Sequence, residues 1–167
     1  MVSCFFINMI FSIQIYAIQT ERHTVTTNKY YFCNMKIITV TAAVIQKGKY
    51  YLLARRKAGN TPRSGQWEFP GGKLEPDESL QQCIKRELKE ELCIDAEVGN
   101  KIIEKAHHYP DKSIKLIAFK IIHFEGEIHL SSHQEYDWVR PQAMNKYNIS
   151  EADRFIVEYL QKKHPEE

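Results

Sequence analysis

The chain has 167 residues and a formal net charge of +2 with histidine neutral. That is enough length for one domain with a real core, and too small a charge to hold duplex nucleic acid non-specifically. Hydrophobic residues make up 43% and charged residues 26%, ordinary values for a soluble globular protein. Four cysteines, Cys4, Cys33, Cys83 and Cys93, show no zinc-site spacing and fit reduced thiols in a cytoplasm.

The first 34 residues read differently from the rest. Cys4 to Ile18 is mostly apolar but is interrupted by Asn8, Ser12 and Gln14. It is shorter than the ~20 residues that span a bilayer. It also lacks the basic leader and small-residue cleavage site of a signal peptide. Thr20 to Asn34 is polar and irregular, and Met35-Lys36 then leads straight into a strand pattern. The expectation is a domain over residues 35–163 and a short tail at 164–167. Residues 1–34 are then an extension outside the domain, either translated upstream sequence or a tail. A weak membrane-associating segment is the competing reading of residues 1–34.

Ile37 to Gln46 is rich in Val, Ile and Thr and reads as a strand. Lys47-Gly48-Lys49 is a tight turn, and Tyr50 to Arg55 is a second strand, so the two predict a hairpin. Arg55-Arg56-Lys57 closes it. Two readings of these cations stand: a solvated strand end, or the rim of a phosphate site where an Arg fork meets phosphate oxygens. Ala58 to Gly65 is a loop. Trp67-Glu68-Phe69 then alternates as a short strand with one buried face, with Phe69 read chiefly as core.

Gly71 to Ile94 reads GGKLEPDESLQQCIKRELKEELCI. Two glycines and a turn lead into a helical run. Leu80, Ile84, Leu88 and Leu92 form an apolar stripe. Beside it, Glu87, Glu90 and Glu91 share roughly a third of the helix circumference. Like charges at that spacing weaken a bare helix, and a hard divalent cation reverses the sign. The stretch resembles the Nudix box, in which a Gly, five residues, a Glu and seven residues precede Arg-Glu-apolar-x-Glu-Glu-x-Gly-apolar. Gly72, Glu78, Arg86, Glu87, Leu88, Glu90, Glu91 and Ile94 match; Cys93 stands where the family has Gly. That Gly ends the helix at positive φ. Either Cys93 adopts the same conformation at a cost of about 1 kcal/mol, or the chain leaves the helix differently.

After the box, Asp95 to Ala106 reads as a strand with a turn or bulge at Gly99-Asn100. His107 to Lys112 reads as a loop, whose adjacent histidines point apart and do not share a metal. Ser113 to Phe124 is a strongly apolar strand, and Glu127 to Leu130 a returning one. Ser131 to Arg140 resembles the family segment that brings another acidic residue near the metal. Ser132 falls where some relatives carry Glu, and Glu135 is the candidate here, with a solvent-facing strand position as the alternative. Ile149 to Lys163 reads as the last helix, with Ser150 as its cap and Asp153 three residues on. In MutT-like relatives a polar residue at this helix start reads the base. Asp153 is therefore either a cap or a base reader, and one residue can serve both.

The resemblance implies a Nudix-type α/β/α sandwich with a mixed central sheet, a catalytic loop–helix box and a C-terminal helix. It implies Mg²⁺, or Mn²⁺, held by Glu87, Glu90, Glu91 and the Gly72 carbonyl, with Arg86 orienting a box glutamate. The general base falls to Glu87 or Glu90, with Glu135 behind them. Arg55, Arg56, Phe69, Gly71, Lys73 and Asp153 are the expected substrate contacts. The implied reaction turns a nucleoside triphosphate into monophosphate and pyrophosphate. An oxidised purine such as 8-oxo-dGTP is the first substrate, with (d)CTP-type or other nucleoside diphosphate derivatives as alternatives. A non-catalytic nucleotide-binding regulator is the reading from another class. The expected partner is thus a small nucleotide in the cytoplasm, with neither stable nucleic-acid binding nor membrane attachment.

Overall fold

In the computed structural model, which describes residues 37–110 and 112–165, the β-branched run forms β1 (Ile37–Lys47) and its hairpin partner is β2 (Tyr50–Arg56). The turn between them uses Gly48 at φ +60°. A two-residue β3 (Trp67–Glu68) pairs with β2. Then come β4 (Asp95–His108), β5 (Ser113–Glu125) and β6 (His133–Val139). The strand order is β3-β2-β1-β5-β4, with β6 also against β2. β1 and β5 run parallel from Ile37 opposite Ser113 to Ile45 opposite Ile121, and the other pairings are antiparallel. The sheet is mixed, as the sequence implies. Expectations for residues 1–34 lie outside the described residues.

Two cores follow from the alternation along β1. Ala42 and Val44 pack on one face with Leu116, Ala118, Ile156 and Leu160. Ala43 and Ile45 pack on the other with Leu52, Ile84, Leu88 and Leu92. Because both faces are covered, the centre of β1 is buried without a polar stripe. Each fully buried Leu or Ile contributes roughly 1.5–3 kcal/mol of transfer free energy.

The box helix, α1 (Leu80–Leu92), carries the second of these cores on its apolar stripe. Ser79 caps it: the Ser79 hydroxyl accepts from Gln82 N–H at 3.2 Å, and the Gln82 side chain accepts from Ser79 N–H at 2.8 Å. Cys93 ends it in the left-handed conformation at φ +59°, donating its N–H to Lys89 O at 3.1 Å. The chain therefore leaves the helix as a glycine would allow, with a side chain present.

Three expectations are corrected. Glu127–Leu130 forms no strand; it runs along the end of α1, where His129 and Ser131 donate their N–H groups to Leu92 and Glu91 carbonyls at 3.0 Å each. Those carbonyls lack partners inside the helix, which is why the passing chain pairs with them. β4 continues through His108, so both histidines lie in the strand. The last helix, α2 (Arg154–Lys163), starts late, after a 3₁₀ turn at Glu151–Asp153. Ser150 donates its N–H to Trp67 O and its side chain makes no cap bond; with Ile149 bridged to Trp67, the chain stays extended alongside β3 up to this point. The bulge expected near Gly99-Asn100 is present as a register shift between Val98 and Lys101. Among the described residues, no helix is long and apolar enough to cross a membrane.

Cys93→Gly relieves the left-handed strain, and its 3.7 Å contact to Ser131 Oγ is weak. The substitution is expected to stabilise the protein by about 0.5–1 kcal/mol, raising Tm by about 2–4 °C in a melting curve.

Candidate active site

The box loop lies against β1 like an extra strand. Ala43 N–H donates to Pro70 O at 2.7 Å, Thr41 N–H to Gly72 O at 2.8 Å and Leu74 N–H to Thr39 O at 3.0 Å. The approach requires glycine. A Cβ on Gly71, at φ +150°, would lie 2.2 Å from the Thr41 carbonyl oxygen. A Cβ on Gly72 would lie 2.1 Å from Glu87 Oε1, so this position is a cradle for that carboxylate.

The carboxylates of α1 face this loop. Glu91 Oε2 accepts from Gly71 N–H at 3.0 Å. Burial pushes the Glu91 carboxyl up to about 7, and the nearby Glu68 and Glu87 charges add to the shift, while His133 and the Gly71 amide oppose it. Arg86 gathers three carboxylates: Glu78 at 2.8 Å, Glu87 at 2.9 Å and Glu90 at 3.2 Å. Its hydrogen bond is the main reason that Glu78 is lowered to about 2. Arg86 also donates to Lys73 O at 3.1 Å, which ties helix to loop. Behind them, burial raises the Cys83 thiol to about 11, so it is a packing group and not a nucleophile.

A second set of charges lies on the same side of the sheet. Arg56 Nε donates to Glu68 Oε2 at 2.6 Å, and the other Glu68 oxygen is 3.0 Å from His133 Nε2. Glu68 and His133 are buried at 7% and 4% exposure, which for charged and polar groups demands such pairing. The alternation of Trp67-Glu68-Phe69 marks Glu68 only as the polar member of a short strand, and no spacing in the sequence marks His133. The available signal was a carboxylate between two aromatic residues in the lead-in to the box.

The structure brings together Glu87, Glu91, Gly71, Gly72 and Arg86, and sets Arg56 nearby through Glu68. The remaining expected residues fall elsewhere. Glu90 is more than half exposed on the outer side of Arg86. Glu135 pairs with Arg55 at 2.6 Å, opposite it in the β2–β6 register, and Arg55 lies over the Trp67 ring at 6.0 Å. Arg55 and Glu135 thus occupy the sheet face opposite Arg56 and Glu68. Arg55 is the main cause lowering the Glu135 carboxyl. Phe69 is in the core. Lys73 has an exposed side chain at the loop edge. The Gly72 carbonyl accepts from Thr41 N–H, and Thr41 Oγ1 and Cys83 Sγ approach it at 3.4 and 3.8 Å. Asp153 is buried, accepting from Phe69 N–H at 3.2 Å; burial, then the charge of Glu68, pushes its carboxyl up to about 7.

Among the described residues, no three acidic, imidazole or thiol groups already converge at coordinating distance. The donor set still fits a hard divalent cation. It is made of carboxylate oxygens, one of them buried among like charges, with a glycine leaving room for another.

A loop packed on a central strand, a capped helix that turns its carboxylates back onto that loop and a mixed sheet between two helical layers define a Nudix-type α/β sandwich. The chain belongs to the Nudix family: the NUDIX domain profile matches residues 35–160. It is 39% identical over 124 residues to the CTP pyrophosphohydrolase of Escherichia coli (strain K12), spanning 74% of this chain and 91% of that protein. It is 33% identical over 127 residues to the 8-oxo-dGTP diphosphatase of Buchnera aphidicola subsp. Schizaphis graminum (strain Sg), spanning 74% and 92%. The solution structure of the E. coli ORF135 protein matches with a TM-score of 0.69 at 36% identity, covering 80% of this chain and 96% of that one. The crystal structure of the MutT protein from Methanosarcina mazei Go1 matches with a TM-score of 0.70 at 27% identity, covering 80% and 99%.

The two glycines predict different failures. Gly71→Ala meets backbone and should lower the melting temperature severely. Gly72→Ala meets only the end of the Glu87 side chain, so it should keep a near-normal melt while displacing that carboxylate and lowering turnover. Thermal melts paired with activity assays separate the two. Asp153 sets a pH dependence. Its folded carboxyl, at about 7 against an ordinary 3.8, binds its proton more tightly than in the unfolded chain. Its contribution to stability is therefore full below about pH 4 and is lost as pH rises to about 7. Tm should fall between pH 5 and pH 8, and Asp153→Asn should reduce that slope.

Proposed function

We propose that this chain hydrolyses a nucleoside triphosphate to the monophosphate and pyrophosphate, with the reaction centred on the Glu87–Glu91 side of α1 and Mg²⁺ or Mn²⁺ as cofactor. The observation that carries the reading is the Glu91 carboxyl, buried against the Gly71 amide beside Glu87 and Glu68. An acid cluster with no catalytic or ligand role would be a steady cost to the fold. Glu87 and Glu91 would hold the cation, with Glu90 at the outer edge. When bound, the cation supplies charge neutralisation at phosphate oxygens and a more acidic water.

The chain's own groups then have distinct tasks. Arg86 fixes the Glu87 carboxylate by a charge-assisted bond at 2.9 Å. The Gly71 amide fixes Glu91. Arg56, with Nε bound to Glu68 and a side chain 39% exposed, presents the rest of its fork to a phosphate. The proton from the attacking water passes to a box carboxylate, Glu87 or Glu90. The catalytic unit is residues 35–163, acting in the cytoplasm on a small nucleotide.

Asp153 bears on the base. Protonated, it offers one donor and one acceptor, the complement of cytosine N3 and its 4-amino group. Ionised, it only accepts, the complement of the guanine N1–H and 2-amino group, which 8-oxoguanine shares. Burial favours the protonated form of Asp153, the form that complements cytosine. The 39% identity to a CTP pyrophosphohydrolase supports the same reading. Hydrolysis of 8-oxo-dGTP is the second reading, supported by the relatives named 8-oxo-dGTP diphosphatase.

The test is to incubate the full chain and Mg²⁺ with CTP, dCTP, 8-oxo-dGTP, dGTP, ADP-ribose and a diadenosine polyphosphate, identifying products and kcat/KM for each. Release of pyrophosphate and monophosphate, highest with CTP or dCTP, is the expected result. Preference for 8-oxo-dGTP selects the second reading. A folded protein inert towards the whole panel overturns the proposal. Glu91→Gln should lower turnover by about a hundredfold or more with the fold retained; near-normal turnover would remove Glu91 from the chemistry.

A further inference from the structure

β2 and β6 pair antiparallel from Tyr51 opposite Val139 through Arg55 opposite Glu135. Continued without interruption, the next pair would be Arg56 with Gln134. The register instead shifts between Arg55 and Arg56, and Arg56 stands opposite His133. One inserted residue moves every later side chain to the other face of the strand. His133 therefore joins Arg56 and Glu68 on the α1 side of the sheet, whereas Glu135, two residues away, lies on the other. The same loop is tied to the helix that carries the acids, because Ser131 N–H donates to Glu91 O at 3.0 Å.

The imidazole that arrives there is buried, with its side chain 2% exposed. One ring nitrogen, Nε2, is 3.0 Å from Glu68 Oε1. The other, Nδ1, is buried without a hydrogen-bond partner among the described residues, a costly arrangement in a group kept for packing alone. Glu68 is thereby held from both sides, by His133 on one oxygen and by Arg56 Nε on the other. A carboxylate fixed at both oxygens has one orientation, and so has the Arg56 fork attached to it.

We propose that His133 is a positioning residue for the phosphate side of the site: it fixes Glu68, and Glu68 fixes the Arg56 guanidinium towards a bound polyphosphate. The proposal rests on the reading that the site takes a nucleoside triphosphate. Its consequence is a chain of dependence. Removing His133 matters only through Arg56, so the two losses do not add.

The experiment measures tripolyphosphate binding to the full chain by calorimetry in Mg²⁺, alongside kcat and KM for CTP and 8-oxo-dGTP. The variants are Arg56→Ala, His133→Met, the double variant and His133→Gln. Methionine fills much of the buried volume without a donor, and glutamine restores an N–H for Glu68. Arg56→Ala and His133→Met should each weaken binding by about tenfold, with the loss appearing mainly in KM. The double variant should be no weaker than Arg56→Ala alone, and His133→Gln should recover most of the affinity. A histidine needed only for packing would lower the melting temperature and the active fraction but leave Kd and KM of the folded molecules unchanged, which would overturn the proposal. Losses that multiply in the double variant would also overturn it. If wild-type protein binds no polyphosphate at all, the functional reading fails along with this inference. Should His133→Met not fold, Glu68→Gln takes its place: it should weaken binding like Arg56→Ala, and Arg56→Ala/Glu68→Gln should be no weaker than Arg56→Ala alone, whereas losses that multiply would overturn the proposal.

Discussion

The contact between the box loop and β1 is the constraint on which the site depends. Three backbone hydrogen bonds hold residues 70–74 to residues 39–43 as if the loop were a strand. That proximity is possible because Gly71 has no side chain to meet the Thr41 carbonyl. Once the loop is there, its Gly71 amide reaches the Glu91 carboxyl, and the missing Cβ of Gly72 leaves the space that Glu87 occupies. The helix is placed in turn by Ile84, Leu88 and Leu92 against Ala43, Ile45 and Leu52. Apolar packing thus sets the distance at which the polar chemistry takes place.

Electrostatics then divides the charged residues into three groups. Arg86 neutralises the outer carboxylates and locks them to the loop through Lys73 O. Glu91 sits deeper, where burial holds its carboxyl near neutrality. Glu68 lies among Glu91, Asp153, Arg56 and His133, and feels all of them.

Much of this was legible in the residues. A β-branched run marked β1, the tight turn after it marked β2, an apolar run marked β5, and the fourfold spacing of leucine and isoleucine marked α1, because a single strong pattern occupied each segment. The spacing of Glu87, Glu90 and Glu91 gave their shared face but not their differing depths, which depend on what the loop covers. Glu135 looked acidic and well placed, yet strand alternation turns it to Arg55 on the far side of the sheet. His133 was illegible for the complementary reason: a one-residue register shift has no compositional mark. The late start of α2 was hidden as well. Ser150 has the chemistry of a cap, but its amide is already committed to Trp67 across the molecule. Local preference lost there to a long-range pairing.

The parallel pairing of β1 with β5 has a kinetic consequence. Ile37 stands opposite Ser113, 76 residues further along the chain (113 − 37). The β1–β2 and β4–β5 hairpins can close early because their strands are neighbours in sequence. The parallel ladder must instead enclose the whole box between its two strands, and closing so large a loop costs entropy before any contact repays it. Thr41 and Ala43 donate to the box loop from the same strand that pairs with β5. Those contacts, and the packing of α1 on Ala43 and Ile45, join residues within the 39–92 stretch, so the acid site closes shorter loops than the ladder that completes the sheet.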